Sequence, residues 1–265
     1  MDFSVDGRQV HAYTGGKPFD AARPAVVFVH GSGCDHTVWI LQSRYFAHHE
    51  RSVLAVDLPG HGQSAGPALD SIEAMADWLL RVLDTTGLQQ VTLVGHSMGS
   101  LVSLDFALRH GGRIERLALL GSAAPMPVAK ALLSAAAVND HASIDMITLW
   151  GHSYPAQLGG NTVPGMWMTG AGVRLLERAK PGVLHTDLAA CNAYGELNGR
   201  GTVHCPALML SGNQDMMTPP RASRAMMAHL PEGRFEAVTN CGHMMMAEQP
   251  DRVLDALVEF LGTSE

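Results

Sequence analysis

The pentapeptide Gly95-His96-Ser97-Met98-Gly99 lies between the apolar run Val91–Val94 and a helix-like stretch that begins near Ser100. Glycines two positions either side of a serine permit a very tight strand-to-helix turn, because only residues without a β-carbon escape the clashes that turn creates. Such a turn lifts the hydroxyl clear of the sheet. A hydroxyl is a weak nucleophile near neutral pH and needs an adjacent base, a task suited to an imidazole of pKa near ~6.5. His243, on the segment after Phe235–Val238, is the candidate base. A carboxylate must then hold the other ring nitrogen, so that the correct tautomer faces the serine and the imidazolium is stabilised as it forms. Asp215, just beyond the run ending at Leu210, is the candidate acid.

These residues need a scaffold, and the spacing of apolar residues predicts one. Short β-rich runs at Ala25–Val29, Ser52–Val56, Val91–Val94 and Leu117–Leu120 alternate with longer helical patterns. Ile72, Met75, Ala76, Leu79, Leu80 and Leu83 share one helical face, with Asp70 and Glu73 at its start and Gly87 at its end. Alternation of this kind predicts an α/β fold with a mostly parallel sheet covered on both faces, whose functional groups gather at the strands' C-terminal ends. The rhythm breaks after Gly121: from Ala123 to about Thr202 there are helical patches but no strand. It resumes at Pro206–Leu210, followed by a helix over 220–229, a strand at Phe235–Val238 and a last helix from Pro250. The expectation is one core domain formed by residues 1–122 and 203–265, with a helical lid, residues 123–202, inserted into it.

Composition narrows the function classes. A chain of 265 residues, 46% hydrophobic and 16% charged, can bury a full core. Its formal net charge of -7 gives no support to a nucleic-acid or anionic-membrane partner, which leaves a small-molecule substrate. The N-terminal residues lack a basic segment followed by an apolar one, so no secretory signal is expected, and Leu117–Val138 is too interrupted to span a membrane. Cys34, Cys191, Cys205 and Cys241 form no CxxC pair, which suits reduced thiols in a cytoplasm. Histidine is abundant at 14 copies, yet no HExxH or comparable ligand spacing points to a metal.

Taken together, five segments resemble the α/β-hydrolase family across nearly the whole chain: His30-Gly31-Ser32-Gly33, Asp57 to Ser64, the Gly95–Gly99 elbow, Ser211 to Asp215, and Gly242-His243. Their order, serine then aspartate then histidine, is the family's. Asp57 also follows a strand, but it precedes the elbow and reads as part of a supporting turn. The resemblance implies a doubly wound sheet, acyl transfer through Ser97, His243 and Asp215, and no cofactor. It also implies an oxyanion hole of backbone amides, Met98 supplying one and Ser32 the second, with Gly33 the alternative to Ser32. His30, His61 and His96 read as architectural.

Serine at the elbow sets the chain apart from the family's dehalogenases and epoxide hydrolases, which carry aspartate there. The Gly-His-Ser-Met-Gly-Ser sequence looks like carboxylesterases, lactonases and monoacylglycerol lipases. The expected activity is hydrolysis of a carboxylic ester or lactone of a small, largely apolar substrate. The alternatives are carbon-carbon bond hydrolysis of ring-fission products, for which the His-Gly-Ser-Gly loop speaks, and a slow-turnover small-molecule receptor. Trp150, Trp167 and Met168 of the lid and Met244 beside His243 are the candidate substrate contacts, with Arg174 and Arg178 able to meet one carboxylate.

Overall fold

The computed structural model describes residues 1–160, 162 and 165–262. Its centre is an eight-stranded sheet in the order β1-β2-β4-β3-β5-β6-β7-β8. The strands are β1 (Asp2–Val5), β2 (Arg8–Tyr13), β3 (Ala25–Val29), β4 (Ser52–Val56), β5 (Val91–His96), β6 (Ile114–Leu120), β7 (Ala207–Gly212) and β8 (Gly233–Val238). From β4 to β8 every neighbouring pair is parallel. Every residue of β3, β4, β5 and β7 is buried, as expected of strands covered on both faces.

The doubly wound, mostly parallel arrangement expected from the sequence is present, and an antiparallel edge adds to it. β1 and β2 form a hairpin, and β2 pairs antiparallel with β4. Its turn places Asp6 and Gly7 at φ 51° and 75°, the conformation that Asp-Gly turns favour.

The helices are α1 (Ile40–Ala47), α2 (Ile72–Thr85), α3 (Met98–Arg109), α4 (Lys130–Ala137), α5 (Ala142–Gly151), α6 (Tyr154–Gln157), α7 (Met168–Leu176), α8 (Val183–Ala193), α9 (Pro220–Met226), α10 (Met245–Glu248) and α11 (Pro250–Leu261). Helix α2 is started by Ser71, whose side chain accepts from the Ala74 amide, and it buries Ile72, Met75, Leu79, Val82 and Leu83. Each such side chain contributes roughly 1.5–3 kcal/mol by leaving water. Helices α2 and α3 cover one face of the sheet, while α1 and α11 cover the other. Helices α4 to α8 all fall between β6 and β7 and gather a third, smaller core around Leu132, Ile147, Leu176, Leu184 and Leu188. The four cysteines are free and buried. Among the described residues no helix is long and apolar enough to cross a membrane.

Candidate active site

The elbow forms where the sequence places it. Ser97 stands between β5 and α3 at φ 53° and ψ -120°, a conformation that only surrounding constraints maintain. The glycines are needed for close approach. A β-carbon on Gly95 would sit 2.2 Å from the Gly99 carbonyl oxygen, and one on Gly99 would sit 2.3 Å from that of Val29. The Ser97 amide donates to the Leu120 carbonyl at 2.9 Å, which ties the turn to β6.

His243 and Asp215, 28 residues apart, meet beyond the ends of β7 and β8. The His243 Nδ1–H donates to Asp215 Oδ2 at 2.7 Å, which leaves the Nε2 lone pair free. That Nε2 is buried without a partner. Thr218 Oγ1 donates to the same carboxylate oxygen at 2.7 Å, while the Met217 and Thr218 amides donate to Oδ1 at 2.8 Å. Burial pushes the Asp215 pKa up, but the His243 imidazole and the Thr218 donors outweigh it and hold the carboxyl below its ordinary value. The carboxylate therefore stays charged beside the ring. Ser97 and His243 line one cavity of about 320 Å³, with no hydrogen bond between them.

His96 donates from Nε2 to the His243 carbonyl at 2.9 Å, fixing the loop that carries the candidate base. Burial and the neighbouring His243 push its pKa down to about 3, so it remains neutral. The Ser32 loop lies directly against the elbow: a β-carbon on Gly31 would sit 3.2 Å from Ser97 Cβ. Neither the Ser32 nor the Met98 amide donates to any described residue. The Gly33 amide is committed, donating to Asp187 Oδ2 at 2.8 Å. Of Ser32 and Gly33, only Ser32 has an N–H with no acceptor among the described residues.

The sequence-predicted pocket residues divide. Trp150 and Met244 line the cavity, joined by Met126, Met216 and Met217. Trp167 and Met168 do not. Trp167 is 77% exposed, its ring folded over Gly170 one turn further along α7, and Met168 is buried away from the cavity. Arg174 and Arg178 also face elsewhere, pairing with Glu177 at 2.8 Å and Asp35 at 2.7 Å. Among the described residues no Lys, Arg, Asp or Glu lines the cavity.

Known proteins place this geometry in a family. The sequence profile described as the alpha/beta hydrolase family matches residues 26–256. This chain belongs to that family. It is 26% identical over 246 residues, 90% of each chain, to an (E)-2-((N-methylformamido)methylene)succinate hydrolase from Acinetobacter baylyi. It is also 28% identical over 271 residues, 97% of each chain, to a putative carbamate hydrolase, RutD, from Caulobacter sp. strain K31. The enol-lactonase from Burkholderia xenovorans LB400 superposes with a TM-score of 0.86 at 23% identity, covering 98% of this chain and 99% of its own, a likeness of fold.

Several residues around the site of this hydrolase were not singled out in its sequence. Thr218 was legible in principle, since an aspartate followed three residues later by threonine is a local side-chain-to-backbone turn. Glu248 is buried and accepts from the Gly242 amide at 3.1 Å and the Ser153 amide at 3.0 Å, joining the His243 loop to the inserted helices. Asp187 had no local signal at all. The fold also brings His11, His36 and Asp57 within 4.8 Å, a grouping that ligand spacing in the sequence did not reveal. None of the three lines the cavity. Asp57 Oδ1 accepts from the His36 amide at 2.8 Å and from Nδ1 at 2.9 Å, and Oδ2 accepts from the Gln63 amide at 2.9 Å, the supporting role expected of that turn.

Proposed function

We propose that this hydrolase cleaves small, uncharged carboxylic esters or lactones by acyl transfer through Ser97, with His243 as general base and acid and Asp215 as its orienting carboxylate. In this mechanism Ser97 Oγ attacks the substrate carbonyl carbon as its proton passes to His243 Nε2. The carbonyl oxygen takes up the negative charge between the Ser32 and Met98 amides. Collapse of the tetrahedral intermediate breaks the acyl C–O bond, and His243 returns the proton to the departing alkoxide. Water, deprotonated by the same imidazole, then releases the acid and restores Ser97. Helices α4 to α8 act as the cap that shapes the acyl pocket.

The observation that carries this reading is the His243 imidazole, held at Nδ1 by a buried carboxylate while its unpartnered Nε2 shares a cavity with Ser97. The apolar walls and the absence of charged lining residues among those described favour a neutral substrate. The Acinetobacter relative is named for a succinate; no described cation in this cavity would pair with a carboxylate of that kind.

The test compares p-nitrophenyl butyrate, a neutral lactone, a carboxylate-bearing ester and a vinylogous diketone by catalytic efficiency. Wild type should turn over the neutral ester or lactone best, and Ser97→Ala should lose at least ~10³-fold in kcat. Equal release by wild type and Ser97→Ala would refute the reading. Preference for the diketone would mean carbon-carbon hydrolysis, and a single burst without turnover would mean a receptor.

A further inference from the structure

The Ser32 peptide is clamped from both sides. On one side, His30 Nδ1–H donates to the Gly31 carbonyl at 2.9 Å. That carbonyl belongs to the same planar peptide unit as the Ser32 N–H, so fixing one fixes the direction of the other. On the other side, the next peptide unit is held through its Gly33 N–H by Asp187 Oδ2 at 2.8 Å. Asp187 is fully buried and comes from α8, one of the inserted helices. Leu184 and Leu188 of the same helix belong to the insertion's apolar core.

The second partner of Asp187 is a buried imidazole. His61 Nε2 lies 2.8 Å from Asp187 Oδ2, and its Nδ1 lies 3.1 Å from the Pro59 carbonyl. Both ring nitrogens face acceptors, so an imidazolium against a carboxylate satisfies both contacts. Burial alone would push the His61 pKa down, but Asp187 overrides it and the value is raised. A carboxylate paired with an imidazolium offers Gly33 a charge-assisted acceptor, roughly twice as strong as a neutral one.

We propose that Asp187 is a positioning residue for the oxyanion hole, and that the seating of α8 sets the direction of the Ser32 N–H. The inference rests on the serine-hydrolase reading above. Hydrolysis of p-nitrophenyl butyrate and inhibition by benzeneboronic acid test it, the trigonal boron bonding Ser97 Oγ as the hydroxyl proton passes to His243 Nε2, so that a tetrahedral boronate anion sits at the oxyanion hole. Asp187→Leu removes the acceptor while keeping the branched side-chain skeleton, and Asp187→Asn keeps an amide oxygen for Gly33 without the charge. For Asp187→Leu we expect kcat to fall ~100-fold, the scale of losing one oxyanion donor, with boronate affinity falling in parallel and KM within ~3-fold. For Asp187→Asn we expect a parallel fall of ~5-fold in both, in keeping with its weaker acceptor.

Circular dichroism and thermal melting identify folded protein, and if Asp187→Leu does not fold, Asp187→Asn decides alone. A folded variant with wild-type kcat and wild-type boronate affinity overturns the proposal. So does a rise in KM at unchanged kcat, which would place Asp187 in substrate binding or cap packing. Ser97→Ala run alongside separates the two readings. Turnover indifferent to Ser97 sinks the serine-hydrolase reading itself, whereas turnover that needs Ser97 but ignores position 187 sinks only this one.

Discussion

Gly121 offers a direct probe of how tightly the candidate base is held. It follows β6, has φ +57°, and packs against the His243 ring. A β-carbon there would sit 3.0 Å from both Cε1 and Nδ1 of His243 and 3.5 Å from Asp215 Oδ2. Carbon contacts are comfortable at ~3.5–4.0 Å, so Gly121→Ala must displace the imidazole by roughly half an ångström. The ring has two ways to move: by lengthening its 2.7 Å bond to Asp215, or by swinging Nε2 relative to Ser97. A misplacement of ~1 Å costs on the order of 100-fold, so kcat should fall by about 10-fold or more. KM should change little, because the apolar walls are untouched.

The substitution also forces alanine into the left-handed region, at a cost of roughly 1–2 kcal/mol. Gly7→Ala separates the two effects. Gly7 has φ +75° with nothing within 4 Å of its added β-carbon, so it bears the same strain far from the site. Both variants should melt a few degrees lower, by about 2–4 °C per kcal/mol for a chain of this size. Only Gly121→Ala should lose kcat. Thermal melting measures the first effect and steady-state hydrolysis of a p-nitrophenyl ester, with burst titration of active sites, the second; a Gly121→Ala kcat within twofold of wild type would refute the claim that the ring is locked against position 121.

Two further outcomes follow from the geometry. Trp150→Ala removes part of the cavity wall and should lower kcat/KM for an aryl ester by about 10-fold or more, given the ~1.5–3 kcal/mol that burying a large side chain contributes. Trp167→Ala, on the outer surface, should leave kcat/KM at the wild-type value, and equal losses in the two variants would contradict the placement of α7. Acid should destabilise the fold well above pH 4. Burial, with His61 and His243 nearby, pushes His30 down to about 4 and His96 down to about 3. In the unfolded chain both titrate near ~6.5, so below that pH the unfolded state binds more protons and each ring withdraws about 1.4 kcal/mol per pH unit. His61 has the opposite shift; its contribution is already complete below the unfolded value and adds no acid slope. Urea unfolding at pH 6 and pH 5 should differ by about 2 kcal/mol, and equal values would show that the two imidazoles are not buried neutral.

The core strands could be read from the sequence because a parallel strand covered on both faces is a continuous apolar run, and β3 and β4 begin and end where those runs do. The hairpin β1–β2 escaped because its faces are half exposed, although Asp6-Gly7 between alternating residues carried its turn signal. In the insertion the helices were legible and their facing was not. Trp150 and Trp167 look alike in composition, but one is turned inward by α5 and the other folds back on Gly170. Which face of a helix meets a cavity depends on docking, not on the helix's own pattern. Asp187 was beyond reach for a plainer reason: its partners His61 and Gly33 are 126 and 154 residues away.

That distance bears on how such a hydrolase divides its work. On the proposed reading the sheet supplies the reacting groups, since Ser97, Asp215 and His243 follow β5, β7 and β8. The segment between β6 and β7, its helices and loops together, supplies most of the cavity lining, and a scheme in which it only selects substrates would let it vary without cost to the chemistry. Two buried carboxylates argue otherwise. Asp187 reaches from α8 to the loop of Ser32, and Glu248, at the end of α10, holds both the Gly242 amide beside His243 and the Ser153 amide of the insertion. Both are desolvated groups whose unpaired cost is several kcal/mol, so neither contact breaks cheaply. The seating of α8 is therefore tied to the Ser32 loop, and that of the segment at Ser153 to the loop of His243. In this chain the segment that lines much of the cavity is also hydrogen-bonded to the loops of the proposed oxyanion donor and the proposed base.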